Sequence, residues 1–373
     1  MGTLSVEPVR DKRDLKAFIR FPWKVYRDDP NWVPPLIIDM KKMLDKSKNP
    51  FFRHSDAEYF LARRNGEVVG RIAAILNNRH NEYHKEKTGF FGFFEVLEDF
   101  EAASALFDTA AAWLKDRGMT LMRGPTNFST NDTCGFLLEG FGKPPVILMT
   151  YNPRYYLEFS ERYGFVKAKD LYAYFMSSDQ PLPEKLVRIS EHVRQREGLV
   201  FRTINMKRFW EEVETVFKIY NDAWSLNWGF VPLTKEETYH IAKDLKQIVD
   251  PDLVLIAEVK GEPAGFSLAL PDVNQALIKV RDGRLFPFGL PKLLWYMRKV
   301  NGVRVFTMGV VRKFQKRGID ALFYVETYRR GTGKGHRWGE FSWILEDNVM
   351  MNRAAQALGA RVYKKYRIYE KPI

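Results

Sequence analysis

The sequence predicts an α/β protein made of two similar halves, each built on a mixed sheet. Three observations carry that prediction. At 373 residues the chain is too long for one average domain, and two are expected. A motif recurs: FLARRNGEVVGRIAA (60–74) lies over LIAEVKGEPAGFSLA (255–269) at a constant offset of 195, with Ala62/Ala257, Gly66/Gly261, Glu67/Glu262, Gly70/Gly265 and Ala74/Ala269 coinciding. A second anchor keeps the same order. NPRYYLEFSERYGFVKAKDLYAYF begins at Asn152 and NVMMNRAAQALGARVYKKYRIYE at Asn348, an offset of 196.

Each copy of the first motif reads as a strand, a glycine-containing tight turn and a second strand, a β-hairpin. FFGFFEV (90–96) follows as an apolar strand, EAASALFDTAAAWLKDRG (101–118) as a helix with a glycine stop, and TLMRGP (120–125) as a strand. The segment from Asn152 is an amphipathic helix, a glycine stop and a closing strand. SSDQPLPEK (177–185) is polar with two prolines and reads as the linker, which divides the chain into domains 1–178 and 185–373. LVRISEHVRQREG (186–198) is a helix leading into the second hairpin. RVFTMGVV (304–311) is the next strand, IDALFYVETYRRG (319–331) a helix and GEFSWILED (339–347) a strand, before the helix and strand that begin at Asn348. Helix and strand alternate throughout, the mark of α/β architecture.

Composition excludes several classes. One cysteine, Cys134, rules out disulfide scaffolds and cysteine-based metal clusters, and the six histidines show no metal-ligand spacing, so no metal is expected. A hydrophobic fraction of 45% with 14% aromatics supplies real cores. No secretory signal and no membrane-spanning run is read, so a cytoplasmic setting is expected. The net charge is +13, unevenly spread: residues 292–337 hold twelve Lys and Arg against Asp320 and Glu326. Such a face favours phosphates, as in a nucleotide cofactor, a nucleic acid, an anionic lipid surface or an acidic carrier protein.

VVRKFQKRGID (310–320) sits at the centre of that basic region, between a strand and a helix. A helix start offers free backbone N–H groups and partial positive charge. Gly318 lets the backbone approach phosphate oxygens, and Lys316 and Arg317 add charge-assisted bonds. Pyrophosphate is the expected anion. The matching place in the first half, Val96-Leu97-Glu98-Asp99-Phe100-Glu101, has three acids and no glycine and would repel it. Only the second half is therefore expected to bind the donor.

The order hairpin, strand, basic glycine loop, helix, strand, Asn-started helix and strand resembles the GCN5-related N-acetyltransferase (GNAT) superfamily, here in tandem, from about Val6 to the end. The resemblance implies an α/β mixed-sheet GNAT fold with two tandem acyl-CoA N-acyltransferase-like domains. The family loop, Gln/Arg-x-x-Gly-x-Gly/Ala, stands here as Gln315-Lys316-Arg317-Gly318-Ile319-Asp320, with Ala321 next. Asp320 departs from the pattern; it weakens a standard coenzyme A pose or caps the helix. The resemblance implies acyl-CoA (acetyl-CoA or longer) or an acyl carrier protein as donor, and backbone groups of Met308, Val310 and Val311 around its thioester. It implies a glutamate base, for which strand alternation offers Glu340 or Glu346. Asn348 matches the asparagine that touches the pantetheine arm or caps the following helix. The family's proton-donating tyrosine falls at Ala355, leaving Tyr363, Tyr366 or Tyr369 as substitutes, Tyr366 among the catalytic candidates.

Two polar or aromatic stretches are candidates for the acceptor. RGPTNFSTNDTCGF (123–136) offers Asn127 and Asn131, or else a set of Asx turns. IYNDAWSLNWGFVPLT (219–234) offers Trp224, Asn227 and Trp228, or else core packing. LFPFGLPKLLWYMRK (285–299) is apolar and ends basic; it borders an acyl chain, touches a membrane or packs as a helix. The reading is an N-acyltransferase acting on a primary amine, with a lipid or sphingoid-type amine implied by the likeness to a lipid-linked group. Its rivals are Fem-like aminoacyl transfer from tRNA and an inactive GNAT pair serving as a binding module.

Overall fold

The computed structural model describes residues 2–373. The chain forms two compact units. The first comprises the chain up to Leu171 with Leu277–Leu294 and Lys365–Ile373; the second comprises Tyr172–Ala276 and Trp295–Lys364.

The first unit holds β1 (Leu4–Pro8), β2 (Asp56–Arg64), β3 (Glu67–Leu76), β4 (Thr88–Val96), β5 (Leu121–Gly124) and β6 (Phe136–Glu139). The first five are hydrogen-bonded in that order, antiparallel except for the parallel pair β4–β5. The β2–β3 turn is Asn65-Gly66, both at positive φ (51° and 83°), as a tight hairpin turn between twisted strands requires. The helix Phe100–Lys115 buries Ala102, Ala103, Leu106, Phe107, Ala110, Ala111 and Leu114, a single apolar face at helical spacing.

The second unit repeats the plan. After β7 (Val166–Ser177) come β8 (Leu199–Thr203), β9 (Val254–Val259), β10 (Glu262–Pro271), β11 (Gly302–Val310) and β12 (Trp338–Leu345), ordered β7-β12-β11-β10-β9-β8. The repeat holds in detail. The β9–β10 turn is Lys260-Gly261, at φ 52° and 79°. Each hairpin skips one residue in its ladder, Val69 in the first and Ala264 in the second, at the same repeat position. The repeated glycine also has one cause in both units. A Cβ on Gly70 would meet Leu106 Cδ1 at 2.7 Å, and one on Gly265 would meet Phe323 Cε2 at 3.0 Å as well as Gly309 O of the neighbouring strand at 2.8 Å. In each case the crossing helix rests on the bare backbone.

The closing strands are exchanged. β13 (Arg361–Pro372) belongs to the first unit from Lys365 onward, where Tyr369 pairs with Gly124 of β5 and Lys365 with Glu139 of β6. β7 belongs to the second unit from Tyr172 onward. These units differ from the division at 178/185 expected from the linker. Residues 277–294 also join the first unit, held at their root by hydrogen bonds: the Arg281 guanidinium donates to Trp32 O (2.8 Å) and Asp29 O (2.9 Å), and Trp23 Nε1 to Arg281 O (2.7 Å). The repeat identifies the elements; it does not say which free edge a closing strand joins, because both copies offer the same edge. Among the described residues no helix is long and apolar enough to cross a membrane.

Candidate active site

In the second unit β11 and β12 pair in parallel only from Gly302↔Trp338 to Val305↔Phe341. β11 runs on to Val310 and β12 to Leu345. On its other edge β11 stays paired with β10 as far as Val310↔Gly265, skipping Phe306. A strand paired on one edge points alternate N–H and C=O groups from the other. The gap opens into a cavity of about 420 Å³. Thr307, Met308, Gly309 and Val310 wall one side and Ser342, Trp343, Ile344 and Leu345 the other, with Trp224, Leu226, Asn227, Met350 and Met351 around the rim. Its only charged lining residues are Arg312, Lys316 and Asp320. Thr307 Oγ1 and Trp343 Nε1 are buried polar atoms without a hydrogen-bond partner. Such groups cost roughly 1–3 kcal/mol each, a cost that a bound polar partner removes. A smaller, apolar cavity of about 60 Å³ shares Val305, Met308 and Phe341 with it, at the point where the strands part.

The helix Ile319–Gly333 begins beside this gap. Its N-cap is Gly318, at φ 79°, and no side chain caps it. The first backbone N–H groups are thus available to an anion. The loop before it is tied down: Gln315 Nε2 donates to Val310 O (3.0 Å), the Arg196 guanidinium to Arg317 O (2.6 Å), and the backbone N–H of Arg312 to Asp222 Oδ1 (2.9 Å). A second cleft of about 550 Å³ runs along the loop, lined by Lys185, Arg188, His192, Arg196, Lys316 and Arg317 with no acid among its walls. It shares Lys316 with the larger cavity between the strands. An apolar slot thus meets a basic cleft at an uncapped helix start, which fits a diphosphate with a long apolar arm. Asp320 does not cap the helix; it lies in the first turn, where a carboxylate suits the helix dipole, and lines the cavity.

The first unit has the same parts in closed form. The helix Phe100–Lys115 is capped by its own Asp99, whose Oδ1 accepts from Ala102 N at 3.1 Å. Arg64 pairs with Asp99 and Glu101, so a carboxylate already holds the anion position. β4 and β5 also part, after Phe90↔Arg123. Here the chain fills the gap: Thr126 N donates to Phe91 O (2.8 Å), and Phe93 N donates to Asn127 Oδ1 (2.7 Å).

No family model matches the chain. It is 40% identical to the bacterial ceramide synthase of Caulobacter vibrioides, an alignment covering 99% of this chain and 98% of that one. It is 39% identical to the protein YghO of Escherichia coli, over 97% and 94% of the two chains. The chain belongs to the family of these proteins. The solved structure of a tandem GNAT protein from the clavulanic acid biosynthesis pathway covers 99% of this chain and 98% of its own, with a TM-score of 0.58 at 13% identity, and gives the fold. The expected tandem GNAT fold is therefore present, and the chain is a GNAT-type acyltransferase.

In this acyltransferase Met308, Val310, Gln315, Lys316, Ile319, Asp320 and Asn348 line the cavity, joined by Trp224 and Asn227. Arg317 and Gly318 line the basic cleft. Val311 and Ala321 line neither: Val311 packs against the core beneath the helix, and Ala321 is buried. Asn348 caps the helix Val349–Ala357 through Met351 N (3.2 Å) while lining the cavity.

The remaining candidates lie elsewhere. Asn127 has its side chain spent on Phe93 N and Thr133 Oγ1, and Asn131 sits in a turn closed by Ser129; both belong to the first unit and neither lines the cavity. Trp228 is outside the lining, and so is Glu346, which lies past the end of β12. Tyr366 is fully buried in the first unit, beside Leu137 of β6. Glu340 is fully buried as well and does not touch the cavity. Its carboxylate accepts from Ser342 Oγ and from Tyr363 OH, and the Arg304 guanidinium donates to Ser342 Oγ (3.0 Å) and Ser342 O (3.1 Å). Three cavity residues, Thr307, Ser342 and Trp343, were not among the expected site residues. Thr307 directly precedes Met308 on the strand expected at the thioester, and Ser342 shares a strand face with Glu340; nothing marked Trp343.

Proposed function

We propose that this enzyme transfers a long-chain acyl group from acyl-CoA to the primary amine of a sphingoid-type lipid, forming an amide and releasing the thiol. The observation that carries the proposal is the uncapped Gly318 helix start opening onto an apolar cavity between splayed strands. The kinship with a bacterial ceramide synthase supports the lipid acceptor. An acyl carrier protein, whose acidity suits the cleft of Lys185, Arg188 and Arg196, is the other donor with the same phosphopantetheine arm.

The donor supplies a thioester carbonyl; the chain's own residues do the rest. Backbone N–H groups after Gly318, with Lys316 and Arg317, hold the diphosphate. The open edge of β11 from Phe306 to Val310 offers N–H groups to the carbonyl oxygen, where charge develops during transfer. Trp224, Met350, Met351 and the small cavity beyond Met308 take the apolar chain, each buried CH₂ contributing about 0.8 kcal/mol. Leu226 and Met350, 81% and 63% exposed, make the mouth apolar, as a lipid amine requires. The amine proton passes to Ser342 Oγ as the Ser342 hydroxyl proton passes to Glu340, and the same relay run in reverse returns a proton to the leaving thiolate, which departs as the thiol. Ser342 is the cavity-lining residue whose hydroxyl contacts that carboxylate.

The test is direct. The purified chain is mixed with sphinganine and acetyl-CoA, palmitoyl-CoA or palmitoyl acyl carrier protein; thiol release and the lipid product are measured. Release with a long-chain donor and N-acyl product supports the reading. A folded chain that releases no thiol from any of them overturns it.

A further inference from the structure

The stretch LFPFGLPKLLWYMRK, residues 285–299, is apolar in most positions, yet no residue in it is buried. The helix Gly289–Met297 within it has no fully buried side chain; Leu290, Leu293, Tyr296 and Met297 are half-buried. Phe286, Phe288, Leu294 and Trp295 are 72%, 82%, 58% and 57% exposed. Four of the fourteen exposed large apolar side chains among the described residues thus fall within ten positions. Single exposed apolar residues need no cause, but a contiguous group does. The stretch is not a loose strand of chain. Its root is pinned by the Arg281 and Trp23 hydrogen bonds, by Arg20 Nη1 donating to Asp282 O (3.0 Å) and by Ile37 N donating to Gly283 O (2.9 Å).

Charge names the occupant. Arg284, Lys292, Arg298 and Lys299 are all exposed in and beside the stretch, and it holds no acid. Lys299 Nζ lies 5.5 Å from the Trp295 and Tyr296 ring centres, so cation and aromatic share one place. Aromatic and aliphatic side chains with basic neighbours on a short helix suit the headgroup layer of an anionic bilayer. We infer that residues 285–299 form a peripheral membrane anchor that inserts Phe286, Phe288, Leu294 and Trp295 among the lipids and sets the basic residues against anionic headgroups. This deepens the proposed function, on whose lipid acceptor its purpose rests: an enzyme resting on the leaflet meets a lipid amine where it resides.

The experiment is co-sedimentation with phosphatidylcholine vesicles, with and without phosphatidylglycerol, in the absence of donor and acceptor. Its failure therefore leaves acyl transfer untouched. The wild-type chain is expected to bind anionic vesicles and to bind neutral ones at least tenfold more weakly, since each surface cation contributes about fivefold. The F288E/W295E variant is expected to lose anionic binding at least tenfold, with an unchanged circular dichroism spectrum. Absence of wild-type binding to anionic vesicles overturns the inference. So does a variant that binds like wild type, or one that alters only the oligomeric mass by light scattering, which would assign the face to a second copy of the chain. Should F288E/W295E misfold, Lys292→Glu with Lys299→Glu tests the same surface without touching apolar residues, and undiminished anionic binding then overturns the inference.

Discussion

Gly318 and Asp99 hold the same place in the two units, each the N-cap of the helix that follows the splayed strand, and only Gly318 leaves that helix start open. The first prediction exchanges their chemistry. Gly318→Asp puts a carboxylate where a diphosphate is proposed to sit and a Cβ 2.9 Å from Val193 Cγ2, at a backbone φ of 79°. Losing one or two charge-assisted bonds, about 1.5–3 kcal/mol each, weakens acyl-CoA binding roughly 10- to 100-fold or more. Isothermal titration with palmitoyl-CoA measures it. Asp99→Ala is the counterpart: it loses a helix cap and about 1 kcal/mol of stability, with donor affinity unchanged. An equal loss of donor affinity in both variants would remove the open helix start from the model.

Glu340 reaches the cavity only through Ser342, and that relation predicts a graded response. Ser342→Ala is expected to lower kcat about a hundredfold, within the range of general acid–base effects, and to leave the KM for acyl-CoA close to wild type. Ser342→Thr, which keeps the hydroxyl, should recover part of the rate. Glu340→Gln should slow turnover similarly and also lower the melting temperature, because it disturbs the hydrogen bonds of a buried carboxylate to Tyr363 and to the Arg304-held Ser342. Steady-state kinetics across pH decide the matter: a Ser342→Ala enzyme with wild-type kcat at every pH places the base elsewhere.

The fold and the basic glycine loop were legible because they are local. Gly318, Lys316 and Gln315 are neighbours in sequence, and the hairpin repeat survives in Gly70 and Gly265, where a helix lies too close for any side chain. The catalytic candidates were less so. Strand alternation puts Glu340, Ser342 and Ile344 on one face, but it does not say where β12 leaves its partner. Beyond Phe341 the strand edge itself faces the cavity, so consecutive residues 342–345 line it. Asn127 misled for a related reason: a short polar side chain near a strand end serves as well to fill a gap between strands as to hold a substrate. The strand exchange of Lys365–Ile373 left no trace, since both closing strands carry the same pattern.

Thr307 Oγ1 gives a prediction of opposite sign for stability and function. Its hydroxyl is buried with no partner, so Thr307→Val removes a polar group at nearly constant volume and forfeits no hydrogen bond. The free protein is expected to be as stable as wild type, or up to about 1 kcal/mol more stable. If a bound donor satisfies that hydroxyl, the same change raises the KM for acyl-CoA several-fold. Thermal melts together with kinetics test both parts; a destabilised variant with unchanged KM means that the hydroxyl has a structural partner instead.

The last prediction concerns a buried carboxyl in the first unit. Glu95 accepts from Tyr26 OH and Tyr156 OH, each at 2.8 Å, and the Arg71 guanidinium lies 3.8 Å away. Burial dominates these favourable contacts and pushes its pKa up from 4.5 to about 7. The folded state therefore holds the proton more tightly than the unfolded state. The contribution of Glu95 to stability is complete below the unfolded value near 4.5 and is lost as pH rises through about 7, a change on the order of 3 kcal/mol. Glu95→Gln mimics the protonated form at every pH. Its melting temperature relative to wild type should thus rise steadily between pH 5 and 8 and be greatest at the alkaline end, as read by differential scanning calorimetry in matched buffers. His80, whose pKa burial depresses to about 4, is present in both proteins and cancels in that difference. A melting difference that stays flat across the range, or falls with pH, would mean that Glu95 is already ionised in the folded protein and that the two tyrosines and Arg71 outweigh its burial.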